Sequence, residues 1–139
     1  MNNKAIIRVS GLQMVEDTGE NVEMLASGKH YIKNSKHYLL YDDIDEENGV
    51  KTKNTIKFDE KCVEVLRKGT INGKMVFEKG KNKQSLYSTP YGDLLVEVLT
   101  RDIKLQQQEK SVNLKIDYEL YAGNNKISDS KIEIDVNKI

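Results

Sequence analysis

The sequence predicts an all-β fold, an antiparallel barrel of about eight to ten strands, and three observations predict it. Apolar and polar residues alternate along most of the chain, which is the pattern of strands that bury one face. Turn-forming residues recur at short intervals, as they do in sandwiches and barrels. Finally, the single proline, Pro90, leaves nearly every strand able to donate its ladder hydrogen bonds.

The alternation is clearest from Val112 to Leu120, where every second residue is apolar. Parallel strands read as continuous apolar runs, so this pattern indicates antiparallel strands. Turn signals stand at Asn34-Ser35, Asn48-Gly49, Asn72-Gly73, Gly80-Lys81-Asn82 and Gly123-Asn124-Asn125. The strands that they separate are predicted at about 4–15, 21–33, 36–44, 52–59, 62–69, 74–79, 84–89, 93–104, 110–122 and 126–138.

The same pattern predicts which side chains are buried, because a slip of one residue would exchange the two faces of a strand. The buried set is Ile56, Phe58, Met75, Phe77, Leu114, Ile116, Ile132 and Ile134. The set that faces water is Lys57, Lys115, Asp117, Glu133 and Asp135.

Two segments fit both strand and helix. Residues 94–99 place leucine and valine along a helical stripe, yet every second residue from Leu94 to Thr100 also suits one strand face, and valine and threonine favour strands. We therefore predict a strand here, with the glutamines that follow it as a loop or a frayed end. The segment around Val63 and Leu66 is similarly ambiguous, but it is too short before Gly69 for a stable helix.

The composition limits the classes of function. A chain of 139 residues fits one domain with a sizeable core. Because 22 basic residues balance 22 acidic ones, we expect no nucleic-acid partner. One cysteine, Cys62, allows no internal disulfide and fits a reducing compartment. No stretch resembles a secretory signal or a membrane-spanning helix, so the expected location is the cytoplasm.

The most specific motif is Tyr87-Ser88-Thr89-Pro90-Tyr91-Gly92, followed by the alternation to Thr100. This motif resembles the signature of the YwiB-like family, small bacterial proteins of unknown function. Further matches are Tyr38 and Tyr41, Thr55-Ile56-Lys57, Val65-Leu66-Arg67-Lys68-Gly69, Met75-Val76-Phe77, and the strand that holds Leu114, Ile116, Tyr118 and Leu120. The resemblance covers nearly the whole chain and implies a calycin-like barrel, similar to lipocalins and fatty-acid-binding proteins. It brings no activity, cofactor or catalytic residue.

Three polar residues stand on otherwise apolar faces. Arg67 follows Val63 and Val65, while Thr100 and Tyr118 each lie among leucine, isoleucine or valine. If these side chains point into the barrel, they would orient an anionic head group, with the guanidinium of Arg67 as the hydrogen-bond donor. The structural interpretation, which we favour, places Arg67 at the strand end near Gly69, where it meets solvent or a carboxylate at the barrel rim.

Tyr87 and Tyr91 flank the Thr89-Pro90 step and offer flat apolar surface with a polar handle, as a ligand portal would. The simpler interpretation is a rigid turn, in which Pro90 fixes φ and a tyrosine closes the barrel end.

No metal, cofactor or catalytic set emerges. His30 and His37 flank a hairpin turn, but two histidines and one distant cysteine make no zinc site. Cys62 has no neighbouring histidine that would activate it. The acidic run from Asp42 to Asn48 lacks the glycine and glutamate of a calcium loop.

Two functions remain open, and an enzyme with an unrecognised site is the least supported third. The first is a non-enzymatic barrel that binds a small apolar or amphipathic molecule, at Arg67, Tyr87, Tyr91, Thr100 and Tyr118. The second is a filled barrel that engages a protein partner by a sheet edge or a loop. The lumen discriminates them, because a hollow barrel favours a ligand and a packed one with exposed apolar surface favours a partner.

Overall fold

The computed structural model describes residues 3–11, 23–44, 49–69, 72–89 and 92–139, except for the side chains of Tyr87 and Thr89. Strands make up 84% of these residues, which include no helix. The strands are β1 (Lys4–Ser10), β2 (Glu23–Lys33), β3 (Lys36–Ile44), β4 (Lys51–Phe58), β5 (Cys62–Lys68), β6 (Asn72–Glu78), β7 (Asn82–Thr89), β8 (Gly92–Gln107), β9 (Ser111–Ala122) and β10 (Asn125–Lys138).

The ten strands form one closed barrel in which each strand pairs with its neighbours in sequence. All the pairs are antiparallel, and β1 closes the barrel against β10, with Ile7 opposite Val136 and Val9 opposite Ile134. The predicted all-β antiparallel barrel is confirmed. We call the end with the Asn34–Ser35 turn the lower end, and the end with the Gly123–Asn124 turn the upper end.

Most predicted turns lie where the sequence places them. Asn34 and Ser35 both have positive φ, at 53° and 64°, and they join β2 to β3 between the paired Lys33 and Lys36. Two residues with positive φ form the turn whose twist suits a hairpin. Asn72-Gly73 is an exception, because these residues begin β6. The Asn72 side chain accepts a hydrogen bond from the backbone N–H of Gly69 (3.1 Å) and donates one to its carbonyl (2.8 Å).

The ambiguous segment is a strand, since β8 runs unbroken from Gly92 to Gln107. Val96, Val98 and Thr100 are buried on its inner face, so the alternation is the correct pattern and the helical stripe is not. The register against β9 shifts between Thr100 and Asp102, leaving Arg101 as the extra residue of a β-bulge. The first two glutamines extend the strand, and only Gln108 begins the turn.

The predicted faces are also confirmed, and the inner face is packed. Of the set predicted to face water, Lys115 is exposed and Lys57, Asp117, Glu133 and Asp135 are partly exposed on the outer face. All eight residues predicted to be buried are at most 1% exposed. Met24, Ala26 and Leu94 pack partly buried against the core. A lumen that held water would leave its lining exposed throughout, whereas eleven of the large inward side chains have exposures below 2%. These side chains are Tyr118, Phe58, Phe77, Ile7, Leu39, Ile56, Met75, Leu114, Ile116, Ile132 and Ile134.

Candidate functional site

Arg67 belongs to a hydrogen-bonded network at the upper rim of the barrel. Its Nε donates to Asn54 Oδ1 (2.9 Å) and a terminal nitrogen donates to Asp43 Oδ2 (3.3 Å). Asn54 Nδ2 donates to the same Asp43 oxygen (3.0 Å). The side chain of Arg67 is 15% exposed and that of Asp43 is 30% exposed. The guanidinium therefore meets a carboxylate at the rim, which is the structural interpretation drawn from the sequence.

Strand register positions this network. Tyr41, Asn54, Arg67, Gly73 and Tyr87 form one row across β3 to β7. Burial raises the pKa of the Tyr41 hydroxyl, and the charge of Asp43 raises it further. The row brings the backbone of Tyr87 within two strands of Arg67. The side chain of Tyr87 and all of Tyr91 lie outside the described residues.

Thr100 and Tyr118 lie in the packed core and not at the rim. They are opposite each other on β8 and β9, and each is 1% exposed. Phe77 packs edge-on against Tyr118, with ring centroids 5.0 Å apart. Burial raises the pKa of the Tyr118 hydroxyl, and a hydrogen bond with Ser130 partly offsets that effect. The structure thus separates these two residues from the Arg67 network.

The two histidines meet at the lower end of the barrel. His30 Nε2 lies 2.9 Å from His37 Nδ1, and the ring planes differ by only 3°. Phe58 stacks on the other side of His37, with centroids 4.8 Å apart. Burial lowers the pKa of both imidazoles, that of His30 to about 4. Within the described ranges no three metal-binding side chains lie close enough together to hold an ion.

A second candidate site is the part of β8 that extends beyond β7. The pairing of these strands begins with Asn82 opposite Leu99. Thr100 then bonds to the β6–β7 turn, donating to the carbonyl of Lys81 (3.2 Å) and accepting from the N–H of Gly80 (2.9 Å). From Asp102 to Gln107, β8 pairs with β9 alone among the described residues. We call this segment, residues 102–107, the β8 overhang.

The backbone groups of the β8 overhang alternate between β9 and the free edge. Residues with the same side-chain direction present their N–H and C=O groups to the same edge. Thr100 points inward and uses its groups on the β7 side; the inward Ile103 and Leu105 therefore present theirs to the free edge. Consistent with this, the N–H of Ile103 donates to the carboxylate of Asp102 (3.0 Å) and not to β9.

A notch of about 550 Å³ opens beside the β8 overhang. The aliphatic side chains of Ile103 and Leu105 contact the core at its base. The notch lies between β8, the β4–β5 loop and the end of β6, and is lined by Glu60, Lys61, Lys79, Ile103, Lys104, Leu105 and Gln106. It combines free backbone groups, apolar surface and three lysines, which suits an extended peptide.

The sequence contained partial signals for both sites. Asn54 is in step with Ile56 and Phe58, and Asp43 is in step with Leu39 and Tyr41, so the alternation puts both polar residues on inner faces. Neither residue was singled out from the sequence. The predicted strands 84–89 and 93–104 differed in length, and this difference is the signal of the overhang. Neither pattern reveals which strand end remains unpaired, because that depends on the register.

The comparisons with known proteins agree with this architecture. The model of the family described as "Domain of unknown function (DUF1934)" matches residues 7–134. The chain belongs to this family. The Uncharacterized beta-barrel protein YwiB of Bacillus subtilis (strain 168) is 27% identical over 125 residues, which cover 88% of this chain and 87% of YwiB. The crystal structure of the ywiB protein from Bacillus subtilis is similar in fold, with a TM-score of 0.81, 24% identity, and coverage of 99% of this chain and 92% of that one.

Family membership confirms the resemblance drawn from the sequence. The descriptions of the family and of YwiB assign no function. The described residues contain no apolar helix long enough to cross a membrane.

Proposed function

We propose that this chain is a filled-barrel interaction module that captures an extended segment of a protein partner on the β8 overhang. The observation that carries the proposal is the free edge of β8 beyond Thr100. Exposed strand edges bind extended peptides through main-chain hydrogen bonds, and neighbouring pockets select the side chains.

Burial within the barrel supports a partner over an internal ligand. The buried apolar side chains of the core are at most 8% exposed, so a ligand among them would have to displace core. Apolar surface is found outside instead, where Leu86 and Leu95 lie opposite each other with exposures of 56% and 58%. This combination favours the interaction module.

The lysines of the notch support a specific partner. Lysine on a strand edge discourages pairing with another copy of the same chain. Lys61, Lys79 and Lys104 lie around the free edge and make it positively charged. A partner segment with negative charge would therefore bind there more readily than a second copy of this edge. We further propose that the module is calycin-like and works as a single domain in the cytoplasm, in keeping with the family resemblance and the lone cysteine.

Leu105→Pro tests this function. Proline removes the N–H that Leu105 presents to the free edge and leaves the hydrogen bonds of its neighbours to β9 in place. Leu105→Ala is the matched control, since it removes the same aliphatic contact but keeps the N–H. We expect native mass spectra of the protein isolated from the cells that produce it to show a protein partner for wild type and Leu105→Ala, but not for Leu105→Pro.

A circular dichroism melt of each variant establishes that the barrel is folded. Equal partner retention by the two folded variants would contradict binding at this edge. A retained small molecule and no protein would instead support the ligand hypothesis, for which the Arg67 network at the upper rim is the proposed location.

A further inference from the structure

We infer that the segment bound by the β8 overhang carries an acidic residue opposite Lys104, flanked on both sides by apolar residues. This inference rests on the proposed function and adds the chemistry of the partner. It follows from two rows of charged residues that cross the outer face of β10, β9 and β8, where they line a depression of about 320 Å³.

In the first row every charge has a partner of opposite sign. Lys131 of β10 lies opposite Asp117 of β9, which lies opposite Asp102 of β8. The two adjacent aspartates would repel each other. Beyond Asp102, where β7 would continue, Lys79 reaches back so that its Nζ lies 3.1 Å from the Asp102 carboxylate. Arg101 in turn approaches Asp117 to within 2.7 Å.

The second row repeats this arrangement with the signs reversed and its last position empty. Glu133 of β10 lies opposite Lys115, which lies opposite Lys104 of β8. Lys104 is exposed, and no carboxylate of the described residues lies within salt-bridge distance of its amine, although its charge acts on Asp102 from further away. Asp102 stands on the same strand face, but it is already held by Lys79. An acidic side chain on an added strand would complete this row as Lys79 completes the first.

The neighbours of that acidic residue would face the notch. Side chains alternate along a strand, so residues on either side of one opposite Lys104 point inward, next to Ile103 and Leu105. Ile103 is 5% exposed and Leu105 packs partly buried against the core. An apolar, acidic, apolar triplet therefore matches both faces of the overhang.

A second copy of this chain fits less well. Antiparallel pairing of two overhangs would bring two copies of Lys104 to one edge, beside Lys115 in each copy. Like charges in neighbouring positions destabilise a pair of strands. The occupant that we infer is accordingly a segment of a different protein.

The test uses three capped hexapeptides, of which the first is acetyl-Thr-Val-Glu-Val-Thr-Gly-amide and the other two replace Glu by Gln or by Lys. Each is titrated into ¹⁵N-labelled protein, and the amide shifts of Leu105 and Gln107 give the Kd. We expect the Glu peptide to bind about two- to five-fold more tightly than the Gln peptide, with the Lys peptide weakest. This difference should shrink at high salt.

The Lys104→Glu variant should reverse the order and favour the Lys peptide. Lys29→Glu, which changes an exposed lysine of β2, is the matched control and should leave the order unchanged. Equal affinities for the three peptides would overturn the inference of an acidic residue in the partner but would still support binding at the edge. If no peptide shifts the amides of the overhang, both the inference and the proposed function are contradicted. If the protein sediments as a dimer and Lys104→Glu changes the dimer dissociation constant, a second copy of the chain is the occupant. That result would also overturn the inference.

Discussion

At the scale of single residues, Arg67 contacts Asn54 and Asp43 at the upper rim. Its guanidinium is mostly buried, but the carboxylate that it meets keeps contact with water. The cost of removing the arginine is therefore smaller than for a fully buried pair, in which the remaining charge would have no solvent at all.

The change Arg67→Met should lower the free energy of unfolding by about 1–2 kcal/mol, because Asn54 Oδ1 loses its donor and Asp43 loses its counter-charge. A double-mutant cycle with Asp43→Asn, measured by denaturant melts, should show a coupling of roughly 1 kcal/mol. If Arg67→Met is as stable as wild type, the arginine has no structural role and a role toward a ligand gains support.

The histidine pair is the second residue-scale feature that burial controls. His30 and His37 are 5% and 4% exposed. Desolvation, with contributions from His37 and Lys138, lowers the pKa of His30 from 6.5 to about 4. Desolvation also lowers the pKa of His37, against a hydrogen bond with Gln107 that raises it.

The pKa of His30 is lower in the folded chain than in the unfolded chain. Between pH 6.5 and pH 4 the unfolded chain therefore binds a proton at this histidine that the folded chain does not bind. The free energy of unfolding is therefore unaffected by this titration above pH 6.5, and it falls by roughly 2–3 kcal/mol as the pH drops toward 4. His30→Gln removes the titrating group, so its free energy of unfolding should change less between pH 7 and pH 4.5 than that of wild type. Parallel curves for the two proteins would show that His30 does not titrate in this way.

At the scale of strands, close packing is clearest where β2 leaves β3. The last pair toward the upper end is Lys29 opposite Leu40. Gly28, the residue before Lys29 in the chain, lies on the inner face just beyond this pair. A Cβ atom placed on Gly28 would lie 2.3 Å from the carbonyl oxygen of Leu40 and 2.8 Å from Cδ1 of Ile7. Backbone cannot give way as a side-chain tip can, so β2 approaches β3 this closely only with glycine here.

Gly28→Ala should therefore lower the free energy of unfolding by about 1–3 kcal/mol or more, through overpacking. Ser27→Ala, on the exposed face of the same strand, is the control and should stay within about 0.5 kcal/mol of wild type. Both are measured by urea melts. A neutral Gly28→Ala would mean that the strands separate at this point without cost.

The strands also show what the sequence could predict. Alternation located all ten, because burial of one face fixes which residues of each strand point inward. It placed Arg67 on an inner face but left open whether the strand ends there, and the answer depends on Asn54 and Asp43, which are 13 and 24 residues away in the chain. The β8 overhang was missed for a similar reason, since an unpaired edge is a property of two strands and not of one.

At the scale of the whole molecule, the packed interior favours a scaffold over a container. Inward side chains from strands all around the barrel meet in one core, with Phe77, Tyr118 and Leu114 among its fully buried members. Close packing of this kind keeps the outer surface and edges rigid, and we expect an apolar molecule to enter only where a side chain has been removed.

Leu114→Ala should cost roughly 2–5 kcal/mol, because the rigid surroundings leave a cavity. Lys115→Ala, on the outer face, should be nearly neutral. The cavity should then accept a small apolar molecule, so that benzene raises the Tm of Leu114→Ala but leaves the Tm of wild type and of Lys115→Ala unchanged. A rise in the Tm of wild type with benzene would mean that the native barrel already has space for an apolar ligand, and it would return the internal binding site to first place.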